Sequence, residues 1–346
     1  MSRKSILAKL AKRHKDSVDF QVYESDVTVP PGKVIRTGFD QLDWLFDIGG
    51  LPLGRMVMYY GPPGCGKTTM ALENARAFQE CGGIVIFIDN EAKLDIGRAR
   101  HLGVDLGAML HLMPESIEDG FQELDETVKA IREDSKDIPI LVIYDSVNDA
   151  TSKEMAGKDY DAKSVGREAL VFSNKLPKLT RMMNLHDVTM IAIGQMRVNM
   201  DGFKVTDKFG VGNTWPHKLS SIMKWTSRGR TPSAADQGDL PDYRTVTIRN
   251  MKQQFGKEAR EAEMRMYLVD GYDPYHSTIT LLKEEGHITN SGAWYAFDGE
   301  NFCQGKKNLV AALQKDDELY AKMKERVHSL MCSGGQVVEY VEPEEE

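Results

Sequence analysis

The sequence predicts an α/β fold with an open, mainly parallel sheet, an N-terminal arm before it and a small α/β domain after it. Three observations carry that prediction. Near-continuous apolar runs alternate with helix-patterned segments, as buried parallel strands alternate with crossover helices. One run, "RMVMYY", leads through the glycine-rich "GPPGCGKT" into the helix-patterned "TMALENARAFQE". At 346 residues, with 41% hydrophobic and 28% charged residues, the chain can bury one large core and a small satellite domain.

In chain order, residues 1–14 carry Arg3, Lys4, Lys9, Lys12 and Arg13 without an acid, and Ile6, Leu7 and Leu10 share one side, which predicts an amphipathic helix of about three turns. From about residue 34 to 270 the runs "RMVMYY", "IVIFID", "IPILVIYD" and "VTMIAIG" read as strands buried on both faces. The intervening "SIEDGFQELDETVKAIRED" and "GREALVFSNKLPKLTRMMNL" read as crossover helices. Downstream, "SGAWYAFDGENFCQGKKN" predicts a glycine-turned hairpin followed by helices and carrying Lys306 and Lys307, while "EYVEPEEE" closes the chain as a solvated acidic tail. The expected layout is an arm over residues 1–33, an α/β core over 34–270, a small C-terminal domain over 271–332 and a tail over 333–346.

Charge and cysteine usage narrow the function. A net charge of −8 argues against coating nucleic acid through bulk charge, so any DNA binding has to come from local basic patches, of which two exist at 1–14 and 196–230. Four scattered cysteines without a CxxC pair predict neither a disulfide framework nor a zinc site. No stretch approaches 18 consecutive apolar residues and the N-terminus lacks a secretory signal, so a reducing cytoplasm and no membrane partner are expected.

The stretch 61–68 fits GxxxxGK[ST], with a strand before it and a helix after it. Its backbone N–H groups at Gly61, Gly64, Cys65, Gly66 and Thr69, around the turn at Pro62 and Pro63, suit a nucleotide's phosphates; Lys67 reaches the β and γ oxygens and Thr68 ligates Mg²⁺. Ligands of such sheets bind at the strands' carboxyl ends. There "IPILVIYDS" ends in Asp145 and Ser146, the acid placed to hold Mg²⁺ or its water. One run over, "IVIFIDNE" ends in Asp89 and Glu91, and a glutamate there can take a proton from an attacking water. "VTMIAIGQMR" ends in Gln195, a neutral donor for a γ-phosphate oxygen, with Arg197 two residues on. Residues 197–214 read as a long irregular loop, basic and glycine-containing, with Met200 and Phe203 as apolar tips; an ordinary surface loop is the competing reading.

"TGFDQLDWLFDIGGLPLGRMVMYYGPPGCGKTT", "FIDNEAKLD" followed by "ARHLGVD", "VIYDSV", "IGQMR" and "GAWYAFDGENFCQGKKN" closely resemble the RecA recombinase family in order and spacing, over roughly residues 34 to 330. The drift of several patches resembles a bacteriophage member of the RecA/UvsX kind more than a host housekeeping copy.

The resemblance implies a RecA-like P-loop ATPase core and an ATP- and Mg²⁺-dependent, self-assembling filament on single-stranded DNA. It further implies pairing with homologous duplex DNA, strand exchange, and single-strand-binding and mediator proteins as partners. It makes Glu91 the catalytic glutamate, Gln195 the γ-phosphate sensor, and Asp145 and Ser146 the acid and hydroxyl of the second nucleotide-binding strand. "SKEMAGKDYDAKSVGRE", with Lys163 and Arg167, resembles the first DNA loop, although its interleaved acids suit a solvated face equally well. "MRVNMDGFKVTDKFGVGN" resembles the second, with Arg197, Val198, Asn199, Met200, Phe203, Lys204, Lys208, Gly212 and Asn213 as contacts. Arg98 stands where the family carries an aromatic against adenine, and "IRNMKQQ" offers Arg249 with Lys252, or Met251, where two lysines reach a neighbouring subunit's γ-phosphate. In the family an N-terminal helix and strand dock on the next subunit, which makes residues 1–33 an oligomerisation arm. A hexameric helicase or a regulatory ATPase shares the core; the "GAWY" segment and the absence of an arginine-rich helicase-type hairpin favour the filament.

Overall fold

Strand formation follows the apolar runs. β1 (Lys33–Ile35) and β2 (Leu51–Pro52) flank a short helix, Asp40–Phe46. β3 (Met56–Gly61), β4 (Ile84–Asp89), β5 (Met109–Leu112), β6 (Ile140–Asp145), β7 (Val188–Asp201), β8 (Lys204–Phe209), β9 (Ser221–Arg228), β10 (Tyr243–Gln253), β11 (Glu261–Tyr267) and β12 (Gly271–Tyr272) follow in the chain. The computed structural model describes residues 32–156, 166–201, 204–209, 214–228, 243–331 and 336–338, with the backbone alone at 196–201, 204–209 and 336. The basic N-terminal helix and the acidic end expected from sequence, and Lys163, Phe203, Gly212 and Asn213, lie outside the described residues.

Among the described residues the main sheet runs β12-β11-β10-β9-β3-β7-β6-β4-β5. The six strands from β9 to β5 are parallel to their neighbours, and β10, β11 and β12 extend the sheet antiparallel. Strand alternation divides the core. Val57, Tyr59, Val85, Phe87, Leu141, Ile143, Ile191 and Ile193 enter one cluster with Met70, Ala71, Ala75 and Phe78 of the helix Lys67–Glu80. Met58, Tyr60, Ile86, Ile88, Val142, Tyr144, Met190 and Ala192 enter the other, against Phe121 and Leu124 of the helix Ile117–Asp134 and Phe172 and Leu176 of the helix Arg167–Leu185. Each large apolar side chain buried this way contributes roughly 1.5–3 kcal/mol, so sandwiching the sheet between helix layers fixes its register.

A third cluster joins the helix Pro274–Glu284 to the sheet β13 (Ile288–Ser291), β14 (Trp294–Phe297) and β15 (Glu300–Gln304) and to the helices Leu309–Lys315 and Asp317–Ser329. Gly292 turns β13 into β14 at positive φ, the hairpin expected from sequence. β16 (Gln336–Val337) returns to pair with β1, which also pairs with β2.

One expectation needs correcting. The stretch after Gln195 is not irregular throughout: β7 continues to Asp201 and pairs antiparallel with β8, Arg197 opposite Lys208 and Asn199 opposite Thr206. A tight hairpin pairs its own backbone groups, which is why so polar a stretch takes strand form.

Candidate functional site

Every strand end singled out in the sequence meets at one edge of the parallel sheet. β3 delivers the phosphate loop, and its Gly61 lies in register with Gln195 of β7. The loop suits glycine for steric reasons: a Cβ on Gly61 would lie 2.2 Å from the Trp225 carbonyl oxygen, and Gly66 takes φ +92° beneath the Tyr272 hydroxyl. Lys67 opens the helix and is buried, its ammonium donating to the carbonyls of Gly61 (3.0 Å) and Pro62 (2.8 Å). Those are weak substitutes for phosphate oxygens. Pro63 and Gly64 are exposed, and Cys65 is buried, its thiol pushed up by burial and donating to the Pro62 carbonyl at 2.9 Å.

The Thr68 hydroxyl donates to the Asp145 carboxylate at 2.7 Å. Burial pushes the Asp145 carboxyl up to about 6, against the Thr68 hydrogen bond and with the Glu91 charge raising it further. A hydroxyl and a carboxylate side by side form the hard oxygen donor pair that suits Mg²⁺. Ser146, next in the chain, is buried and donates to Asp149.

Glu91 follows the end of β4 on a strap held by Asp89. The buried Asp89 carboxylate accepts from the backbone N–H groups of Glu91 (3.2 Å), Lys93 (3.3 Å) and Leu94 (3.0 Å), with His111 Nε2 3.3 Å away. Glu91 accepts from Lys93 Nζ at 3.0 Å and from Gln195 Nε2 at 2.9 Å. Burial alone would raise its carboxyl; the hydrogen bonds with Asp149, Lys93 and Ser146 outweigh burial and hold it below the ordinary value. A depressed glutamate is ionised at neutral pH and able to accept a proton.

Arg98, the candidate for the base, is tied down by its neighbours. Arg98 donates to the carbonyls of Leu268 (2.9 Å) and Val269 (3.1 Å) and to the Thr69 hydroxyl (3.4 Å), which fixes its guanidinium. Arg244 closes the loop's outer side by donating to the Gly64 carbonyl at 2.8 Å.

The remaining candidates divide. Arg249 is exposed on β10. Lys252 is turned away from that exposed side: past an irregularity between Asn250 and Lys252, its ammonium donates to the carbonyls of Pro216 (2.8 Å) and Leu219 (2.7 Å). Met251 is the exposed neighbour, so within "IRNMKQQ" Arg249 is the exposed cation and Lys252 is half-buried with its ammonium engaged. Arg167 begins a helix and pairs with Glu154. Arg197, Val198, Asn199, Met200, Lys204 and Lys208 take their backbone places in the β7–β8 hairpin.

Sequence reading missed three side chains. Asn148, Asp149 and Arg244 all touch the residues above, and for the first two the available signal was two polar residues within four of Asp145.

Fold and site define a P-loop ATPase, its nucleotide site at the carboxyl edge of a parallel sheet. The comparisons narrow the class. The RecA N-terminal domain model matches residues 7–271 and the RecA C-terminal domain model residues 279–331. Relatives named Protein RecA from Kineococcus radiotolerans (31% identity, 90% of this chain and 87% of the relative), Mycolicibacterium gilvum (32%, 90% and 87%) and Mycoplasma mobile (27%, 95% and 96%) span nearly the whole sequence. The chain belongs to the RecA family. It is accordingly a DNA-dependent ATPase of DNA recombination and repair, in a family that binds ATP with a divalent metal and assembles on DNA. Among the described residues no helix is long and apolar enough to cross a membrane.

Proposed function

We propose that this site is an ATP-gated grip on single-stranded DNA. Residues 61–69 hold the triphosphate, Lys67 neutralises its β and γ oxygens, and Thr68 with Asp145 holds Mg²⁺, which supplies charge neutralisation when bound. Glu91 accepts the proton of the attacking water. Arg98 presents its guanidinium plane to the base. Gln195 reports the γ-phosphate to the β7–β8 hairpin, which with the 153–168 segment faces the DNA. Arg249 acts on the nucleotide of a neighbouring subunit. Residues 1–33 dock on that neighbour, and 271–332 form a domain whose Lys306 and Lys307 gather duplex DNA for homologous pairing and strand exchange in the cytoplasm, with single-strand-binding and mediator proteins as accessory partners.

One observation carries the reading: Gln195 bonds Glu91 at 2.9 Å and is also the residue from which the hairpin departs. A γ-phosphate that draws the amide away therefore moves the root of the hairpin, and ATP and DNA become coupled reciprocally, by about 1–3 kcal/mol. Fluorescence anisotropy on a labelled oligonucleotide, with ADP and with a slowly hydrolysed ATP analogue across a salt series, tests it. The analogue is expected to tighten binding roughly 5- to 150-fold, and Gln195→Ala to abolish the gain while nucleotide still binds. Equal affinity in the two nucleotide states overturns the reading and restores a regulatory ATPase.

A further inference from the structure

Gln195 is held from two further directions. Its backbone N–H donates to Asn148 Oδ1 at 2.6 Å, and its side-chain amide donates to Asp149 Oδ2 at 3.3 Å in addition to Glu91. Asn148 and Asp149 leave β6 directly after Asp145 and Ser146, and the Ser146 hydroxyl donates to the Asp149 carboxylate and fixes its orientation. The Asn148 side-chain nitrogen is buried without a hydrogen-bond partner, so the amide is oriented by the bond to Gln195. Main chain and side chain of one glutamine are thus gripped by one turn.

We propose that Asn148 and Asp149 are positioning residues that hold Gln195 in its nucleotide-free place, so that ATP acts on DNA affinity by pulling Gln195 out of this clamp. The inference rests on the reading of Gln195 as the γ-phosphate sensor and adds the counterweight that reading lacks. A sensor with only one favoured partner responds weakly. A glutamine bonded to two carboxyl groups has a defined resting position, and the apparent DNA affinity of the resting chain is scaled down to the small fraction of molecules that leave it spontaneously. Glu91 is the shared element, because the carboxylate that takes the water's proton is bonded in the resting state by the sensor. Asp149 also hydrogen-bonds Glu91, but it lies off the phosphate loop and takes no proton from water, so DNA affinity rather than hydrolysis is the readout that isolates its grip on the amide.

The test uses the full-length protein and the same anisotropy assay, with Asp149→Ala, Asp149→Asn and wild type compared without nucleotide, with ADP and with the ATP analogue. Removing this hydrogen bond to a half-buried partner is expected to tighten DNA binding without nucleotide and with ADP about three- to tenfold. Affinity with the analogue should stay fixed, because the clamp is already open there. Asp149→Asn keeps an acceptor for the Gln195 amide and should restore most of the wild-type discrimination. An unchanged ratio of analogue to ADP affinity in Asp149→Ala, or an equal loss in all states, overturns the clamp while a large wild-type ratio leaves the sensor standing. A wild-type ratio of one overturns both.

Discussion

Asp43 shows at the scale of one residue how burial sets a titration. Its carboxylate is 2% exposed and accepts from the Thr37 backbone N–H at 2.9 Å and the Thr37 hydroxyl at 2.7 Å. Burial pushes the carboxyl up to about 7, against those two bonds and the Lys324 charge. The unfolded chain ionises this group near its ordinary value of 3.8. The contribution to stability is therefore complete below about pH 4, where both states hold the proton, and is lost as pH rises toward 7, because only the unfolded chain has released it. An asparagine at this position would keep the acceptor for Thr37 and carry no charge. Asp43→Asn is thus expected to gain stability relative to wild type between pH 5 and pH 7, by up to about 3 kcal/mol over those two units. Urea unfolding of both proteins at the two pH values checks the difference, and parallel pH profiles would show that Asp43 is ionised in the folded chain.

At the scale of the element, β10 separates two lysine-like roles that sequence spacing merges. Arg249 and Met251 are exposed, Asn250 between them is buried, and the irregularity before Lys252 sends its ammonium to two backbone carbonyls of the 214–219 segment. Lys252→Ala should therefore cost about 1–3 kcal/mol in urea unfolding of the monomer, whereas Arg249→Ala should unfold like wild type and lose DNA-stimulated ATP hydrolysis. A stable Lys252→Ala protein with selectively lost DNA stimulation would return the trans role to Lys252. The same strand marks the limit of what is legible in a sequence. The parallel strands and the meeting of Lys67, Thr68, Glu91, Asp145 and Gln195 at their ends follow from apolar runs ending in polar residues, because a strand buried on both faces cannot carry those residues anywhere else. The β7–β8 hairpin was missed, because its basic, glycine-containing composition reads as loop even though Val198 and Met200 alternate with polar residues. The bulge that turns Lys252 inward, and the tertiary approach of Asn148 and Asp149 to Gln195, depend on contacts between segments far apart in the chain, and no local pattern encodes them.

On the reading proposed above, the whole molecule has one face of the site that a neighbouring subunit completes. The phosphate loop is closed by Arg244 on the Gly64 carbonyl and by Lys67 folded onto Gly61 and Pro62, so both cations are engaged with backbone carbonyls. Arg249 stands exposed on the antiparallel extension of the same sheet and is free of that loop. If a neighbour's Arg249 supplies positive charge to the γ-phosphate, hydrolysis requires stacked subunits, because a preorganised cation lowers the barrier only where it reaches the transferring group. The ATPase rate per molecule is then expected to rise steeply with protein concentration and with added single-stranded DNA, and to reach the same plateau by either route. Arg249→Ala should lower that plateau roughly 100- to 1,000-fold, the range typical for loss of one charge-stabilising donor, and mixing it with wild-type subunits should reduce the rate in proportion to the number of mixed junctions. Steady-state phosphate release across a protein titration, with and without a long oligonucleotide, measures these quantities. A rate per molecule that is flat in concentration and indifferent to DNA would place that charge within the chain itself.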